Sequence, residues 1–305
     1  MGTNKTGGAD LRKQMHPLRR GAEIVLAATG VITLGITVLI VFILGEESVA
    51  FFKHVPLAEF LTRFEWQPHI EKFGIWPLFN ATFTTSLFAM LFALPLGFAA
   101  AVYLAEYASP AAKRRIKPVL EIIAGIPTVV FGYFALNFIT PLLQSVFGRE
   151  RVAVYNTLSA GLAIGILLVP LVASLIEEAL SAVPKHLREG AYAVGSTKLE
   201  VTLGIVAPSA LSGIIATVLL ALSRAFGETM IVAIAAGAGP AFTMNPFKSA
   251  ETMTGHMARI AGGDLPYDSI DYQSLFAIAL FLFVITFFLN LLGRSIARRY
   301  MEHYE

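Results

Sequence analysis

Six apolar stretches, separated by polar segments, constrain the fold of this chain more than any other feature. Each is long enough to cross a bilayer as a helix, which takes roughly 20 apolar residues. A helix suits the bilayer core because it pairs its own backbone groups where no water is present. The sequence therefore predicts an all-α polytopic membrane protein with six transmembrane helices, at about residues 22–44, 78–104, 118–147, 154–180, 211–236 and 274–292.

The composition agrees with this class and excludes several others. Hydrophobic residues make up 56% of the chain and charged residues 14%, and the mean hydropathy is +0.69. The net charge of +2 is too small to indicate a surface for nucleic acid, so no nucleic-acid partner is expected. The chain contains no cysteine, which removes disulfide frameworks, thiolate metal sites and cysteine nucleophiles.

Lysine and arginine are distributed unevenly between the polar segments. Those that would share one side of the membrane carry 15 of these residues, and those on the other side carry 7. Cytosolic segments are normally the richer ones, so both termini are predicted to be cytosolic. The predicted order is a cytosolic tail at 1–21, a first helix at 22–44, an extracytoplasmic loop at 45–77, a core at 78–292 and a cytosolic tail at 293–305. The core contains five of the six helices, a cytosolic loop at 181–208 and an extracytoplasmic loop at 239–272.

The predicted fifth span carries two opposite charges near its middle. Arg224 and Glu228 are spaced i,i+4, which would place them on one face of a continuous helix. Each such residue costs about 2.5–3.5 kcal/mol to insert, which favours a functional role. Two interpretations remain open: a polar station on a solute pathway, or an internal ion pair that joins helices. Ser223 and Thr229 are weaker pathway candidates, and so is Thr128 beside a predicted kink in the third span.

The two long extracytoplasmic loops give weaker predictions. Six aromatic residues in or beside the first are interpreted as markers of the water–lipid boundary: Phe51, Phe52, Phe60, Phe64, Trp66 and Trp76. In the second, the pattern from Glu251 to Arg259 predicts a short interfacial helix. His256 on that helix is predicted to be solvated, because no companion ligand stands at a metal-binding spacing.

The cytosolic loop contains the most specific motif. Glu189-Gly190-Ala191-Tyr192-Ala193-Val194-Gly195 is followed, after nine residues, by Ile205-Val206-Ala207-Pro208. This run resembles the E-A-A-x3-G-x9-I-x-L-P loop of ABC-importer permeases and departs from it at Gly190 and Ala207. The resemblance implies that a short helix with a small-residue surface docks in a cleft of an ATPase subunit. The residues that would carry this coupling are Glu189, Gly190, Ala191, Gly195, Ile205 and Pro208. An ordinary amphipathic connector is the alternative.

Further motifs narrow the family. The run 224–230, Arg-Ala-Phe-Gly-Glu-Thr-Met, resembles the R-A-x-G-E-T-M signature of phosphate ABC transporter permeases of the PstC/PstA type. Segments 95–97, 103–107 and 125–132 are similar to the matching segments of the same family. The resemblance covers about residues 74–294 and leans towards the PstC type.

The resemblance implies a type I ABC-importer permease fold and a defined set of partners in the inner membrane. They are a second, PstA-type permease, two cytosolic ATPase subunits and an extracytoplasmic phosphate-binding protein. The chain has no G-x4-G-K-[ST] loop, so ATP and magnesium are expected on the ATPase subunits, and this subunit is expected to hold no cofactor. Arg224 suits phosphate because it is a permanent cation with planar donors.

Three other functions are weighed against phosphate import. A permease for sulfate or molybdate would share the cytosolic loop and a charged fifth span. A secondary anion carrier would need no ATPase, although no repeat with inverted topology is visible in the sequence. A membrane-embedded hydrolase or transferase lacks a recognisable Ser/His/Asp set, metal cluster or carboxylate pair. The sequence therefore predicts a transport subunit, not an enzyme.

Overall fold

The computed structural model describes residues 7–299, and the side chains of residues 21–296. Within this range the chain is mostly helical and contains one short hairpin, which pairs Trp66 with Phe73 and Gln67 with Lys72. The helices are α1 (Gly7–His54), α2 (Leu57–Thr62), α3 (Trp76–Val102), α4 (Pro110–Ala124), α5 (Thr128–Phe134), α6 (Thr140–Phe147), α7 (Thr157–Ser181), α8 (Lys185–Ala193), α9 (Lys198–Val201), α10 (Ala207–Ser209), α11 (Leu211–Phe226), α12 (Met230–Ala235), α13 (Met253–Ala261) and α14 (Ile270–Arg299). The strands are β1 (Trp66–Gln67) and β2 (Lys72–Phe73).

Within the described part of the chain, five helical segments are long and apolar enough to cross a membrane: Gly21–His54, Trp76–Tyr107, Thr128–Phe147, Thr157–Ser181 and Ile270–Ile296. The second and third continue through single π-helical turns, at Tyr103–Tyr107 and Ala135–Ile139. A sixth candidate is a bent pair, in which Lys198–Ser209 meets Leu211–Phe226 at 71°. The predicted number of six spans is therefore reached when the bent pair counts as one.

The core forms around the close packing of α3 against α7. A Cβ added at Gly161 on α7 would lie 2.8 Å from the carbonyl oxygen of Thr85 on α3. The two helices are similarly close at Gly97 on α3, where an added Cβ would lie 2.6 Å from a methyl carbon of Val172 on α7. Residues without side chains let two helices approach closely, which is how membrane helices gain packing contacts. The fourth span was expected to be interrupted at Pro170, but α7 continues through that residue.

Three predicted element boundaries are wrong. The first helix does not end at residue 44 but continues to His54. The third span begins at Thr128 and not at residue 118, because Gly125–Pro127 separates it from α4 and Pro127 has an extended backbone, with ψ of 137°. The fifth span is not continuous either: α11 ends at Phe226 and α12 begins at Met230. In the third and fifth spans, proline or glycine interrupts the helix where the apolar pattern alone continues.

The predicted loop at 45–77 is folded and partly apolar. Phe51, Phe60 and Trp66 are each no more than 2% exposed, and they pack edge-to-face with one another and with Phe73. These aromatic residues form a second hydrophobic cluster with residues of α3, α13 and α14. The expectation that they mark the water–lipid boundary is therefore wrong for these three residues. Phe64 differs, since it is 57% exposed and stacks on Trp76.

Candidate substrate pathway and coupling surface

A cavity of about 540 Å³ lies between α7, α11, α13 and α14. Most of its wall is apolar, and the polar groups come from the end of α11 and from α14. The lining residues are Leu171, Leu220, Ser223, Arg224, Gly227, Met257, Ala279, Leu282, Phe283, Thr286 and Asn290. A largely apolar cavity with a few convergent polar groups is typical of a small-ligand site.

Arg224 is the cation of this cavity. It stands in the last turn of α11, where the guanidinium is exposed. Among the side chains of residues 21–296, none forms an ion pair with Arg224. The neighbouring hydroxyl oxygen of Ser223 is buried and has no hydrogen-bond partner within the described part of the chain. Arg224 and Ser223 therefore offer hydrogen-bond donors that an anion in the cavity can use.

Glu228 does not form an ion pair with Arg224, the second of the two interpretations that the sequence left open. The helix ends between the two residues, so the i,i+4 geometry that would bring them together is absent. Instead, the carboxylate of Glu228 accepts from the backbone N–H of Ile231 at 3.3 Å, within the first turn of α12. The backbone carbonyl oxygen of Glu228 accepts a hydrogen bond from the hydroxyl of Thr254 on α13 at 2.6 Å. Glu228 thus fixes the break between α11 and α12 and does not line the cavity.

The other predicted pathway residues are dispersed. The hydroxyl of Thr229 donates to the carbonyl of Gly227 at 3.2 Å and so belongs to the same break. Thr128 is the first residue of α5 and is not among the residues that line the cavity. Thr286 and Asn290 on α14 do line it, although neither was predicted from the sequence. Their i,i+4 spacing in an apolar run is the same pattern that identified Arg224, so the sequence did contain the information.

The buried carboxylate of Glu251 holds the predicted loop at 239–272 against the rest of the protein. Glu251 is 2% exposed, and its carboxylate accepts from Arg259 at 2.8 Å and lies 3.2 Å from His256 Nδ1. Burial would raise the pKa of Glu251, but the hydrogen bonds and charges of His256 and Arg259 outweigh burial and lower it to about 2. The prediction that His256 is solvated is wrong, because it is 2% exposed.

The predicted cytosolic loop at 181–208 contains two short helices, α8 and α9. Helix α8 and helix α9 are joined through a turn in which Gly195 has φ of +88°, a conformation that favours glycine. Glu189 and Gly190 are exposed on α8. Ala191 is only 6% exposed, since it packs into the core of this chain. The predicted small-residue docking surface therefore includes Gly190 but not Ala191.

The end of the motif lies at the bend that leads into α11. Ile205 is half-buried in a π-helical turn at Thr202–Val206, and Pro208 is exposed in α10. The 71° bend between this segment and α11 follows directly. The motif thus connects the exposed loop to the helix that carries Arg224.

Residues 93–302 match the family of binding-protein-dependent transport system inner membrane components. The chain belongs to this family. This permease is 29% identical to "Probable ABC transporter permease protein YqgH" of Bacillus subtilis, over 94% of this chain and 93% of that protein. It is 33% identical to "Phosphate transport system permease protein PstC" of Mesorhizobium japonicum, over 79% and 78% of the two chains.

A solved structure shares the fold of this permease. A chain from the crystal structure of a bacterial alginate ABC transporter in complex with an alginate pentasaccharide-bound periplasmic protein superposes with a TM-score of 0.64 at 14% identity. The match covers 94% of this chain and 98% of that one. The predicted fold, that of a type I ABC-importer permease, is confirmed. This permease is accordingly an inner-membrane transport component.

Proposed function

We propose that this permease forms the translocation pathway for inorganic phosphate in an ATP-driven importer. The observation that carries the proposal is Arg224, an arginine without an ion-pair partner among the described side chains, which lines a cavity between spanning helices. A guanidinium binds the oxygens of a phosphate in a two-pronged geometry, and the hydroxyl of Ser223 adds a further donor. The relatives named PstC support phosphate over other anions.

The remaining partners follow from the same proposal. The exposed face of α8, with Glu189 and Gly190, would dock on one of two cytosolic ATPase subunits, which would bind ATP and magnesium. A PstA-type permease would complete the pathway, and a phosphate-binding protein would deliver the solute from outside. The alginate transporter, solved with its periplasmic protein, supports this kind of assembly. No cofactor is assigned to this subunit.

Reconstitution tests the proposal directly. The permease should be co-purified with its partners, placed in proteoliposomes and supplied with the loaded binding protein and ATP. We expect phosphate uptake that stops when ATP is omitted, with no uptake of sulfate or molybdate. Uptake of sulfate or molybdate in place of phosphate would favour the alternative oxyanion permease. Uptake without ATP would favour a secondary carrier.

The proposed orientation places both termini and the loop at 181–208 in the cytosol. Because the chain contains no cysteine, single-cysteine variants can be labelled without background. The exposed positions Arg114→Cys and Lys185→Cys should react only from the cytosolic side, and Lys53→Cys and Lys248→Cys only from outside. Labelling with a membrane-impermeant maleimide on intact cells and on inverted vesicles measures this. A reversal at any one position would contradict the orientation.

A further inference from the structure

The π-helical turn at Tyr103–Tyr107, where α3 ends, holds both helices of the cytosolic loop. The carboxylate of Glu106 accepts from Arg188 on α8, at 3.0 Å from Nη2 and 3.3 Å from Nε. The next residue, Tyr107, presents its ring to Lys198 on α9, whose Nζ lies 4.8 Å from the ring centroid. Two adjacent residues of one turn therefore contact the helices on both sides of Gly195.

Arg188 also joins a third element. Its guanidinium donates to the carbonyl oxygen of Leu180, at 2.7 Å, in the last turn of α7, and to that of Val183, two residues beyond the end of α7. The carbonyl end of a helix carries a partial negative charge and favours a cation. Arg188 consequently connects α8 to α3 through a side chain and to α7 through backbone groups.

The Glu106–Arg188 pair is shielded from water. The side chain of Glu106 is 7% exposed and that of Arg188 is 16% exposed. Shielded charges interact more strongly than surface pairs, and Arg188 uses several of its donors here. This pair therefore differs from the solvated ion pairs that usually contribute little.

The connection leads towards the cavity. Helices α3 and α7 pack so closely at Gly161 that a displacement of one must carry the other. On the other side of Gly195, α9 continues through Thr202–Val206 and α10 to the 71° bend before α11. Helix α11 carries Arg224. Movement of the cytosolic loop can thus reach two walls of the cavity, since α7 and α11 both line it.

We propose that Glu106, Tyr107, Arg188 and Lys198 form a coupling clamp, which transmits movement of the loop at 181–208 to the α3–α7 pair. The inference rests on the proposed ATP-driven import. It assigns four positioning residues, none of which lines the cavity. A clamp of this kind keeps the loop from moving independently of the spans, so that ATP hydrolysis is tied to transport.

The test is the amount of phosphate imported per ATP hydrolysed, measured in proteoliposomes that contain the complete complex. Glu106→Gln and Arg188→Gln should each lower this ratio at least tenfold, while the amount of assembled complex is unchanged. The double variant should be no worse than Arg188→Gln alone, because both changes break one connection. Arg188→Lys should recover part of the ratio, since it keeps the charge but loses the planar donors.

Lys117→Gln is the matched control. It removes an ion pair of 2.8 Å to Glu177 on α7, on the same side of the protein, without touching the cytosolic loop. We expect the ratio of phosphate to ATP to stay at the wild-type value in this variant. A comparable fall would show that any loss of an ion pair at α7 reduces coupling, and would overturn the clamp.

Two further outcomes would also overturn the coupling clamp. If Glu106→Gln and Arg188→Gln lower assembly but leave the ratio per assembled complex unchanged, the contacts only stabilise the fold. If Arg188→Gln does not assemble, Lys198→Gln on exposed α9 tests the other arm, and an unchanged ratio there contradicts the clamp. A wild-type complex without ATP-dependent uptake would overturn the import function and the clamp together, whereas normal coupling in every variant overturns the clamp alone.

Discussion

Replacing Arg224 by glutamine should reduce phosphate uptake by roughly 100-fold or more, because hydrogen bonds to a charged group contribute about 1.5–3 kcal/mol each and two would be lost. The guanidinium lines the cavity and has no ion-pair partner among the described side chains, so its removal leaves no unpaired carboxylate behind. The measurement is phosphate uptake in proteoliposomes, normalised to the amount of assembled complex.

Two companion variants make this result specific. Arg224→Lys should recover only part of the uptake, since a point charge lacks the two-pronged donor geometry. Glu228→Gln should lower uptake only a few-fold, because its side-chain oxygen can still accept from the N–H of Ile231. The double variant should then behave like Arg224→Gln. Full uptake in Arg224→Gln would exclude the anion site, and recovery in the double variant would indicate an ion pair after all.

The separation of Arg224 from Glu228 is an example of a feature that sequence periodicity cannot predict, whereas the class of fold is one that it can. The apolar runs predicted the class of fold, and they predicted six spans, a number that the structure reaches when the bent pair counts as one. Membrane insertion requires long apolar segments whatever their neighbours are. Helix ends inside such runs are decided locally. Phe226 ends α11 and the carboxylate of Glu228 accepts a hydrogen bond in the first turn of α12, yet the sequence on both sides stays apolar. Arg224 and Glu228 would share one face only on a continuous helix, and α11 ends between them.

The polar loops were harder to predict for a related reason. Aromatic residues such as Phe51, Phe60 and Trp66 are typical of a membrane boundary, but here they come from α1, α2 and β1 and pack together in one buried cluster. His256 was expected in water because no metal ligand accompanied it, whereas the buried carboxylate of Glu251 lies beside it. Such contacts join residues through tertiary packing, which a search for metal-binding spacings does not detect. The turn within the motif at 189–208 is a local feature, because Gly195 has a positive φ that favours glycine, whereas the burial of Ala191 depends on tertiary packing.

The second large effect concerns the exposed face of α8. Gly190→Trp should abolish both co-purification of the ATPase subunits and phosphate uptake, while the permease itself still inserts and folds. The reason is geometric, because apart from its chain neighbours and the backbone of α8 itself, no atom of the described chain lies within 4 Å of a Cβ added at Gly190, so an indole there should project away from the permease. Pull-down of the ATPase subunits, together with the melting temperature of the purified permease, measures the two consequences separately.

Ala191→Trp, at the next position, should instead lower the stability of the permease itself. Ala191 is 6% exposed and packs into the core of this chain, so an indole there overpacks the permease and destabilises it by at least about 1–3 kcal/mol. Its melting temperature should fall, whereas that of Gly190→Trp should not. Gly190→Ala adds a methyl group without a clash and improves helix propensity, so it should leave uptake intact. If Gly190→Trp kept the ATPase subunits bound and transported phosphate normally, α8 would be a simple connector and the ATPase would have to dock elsewhere.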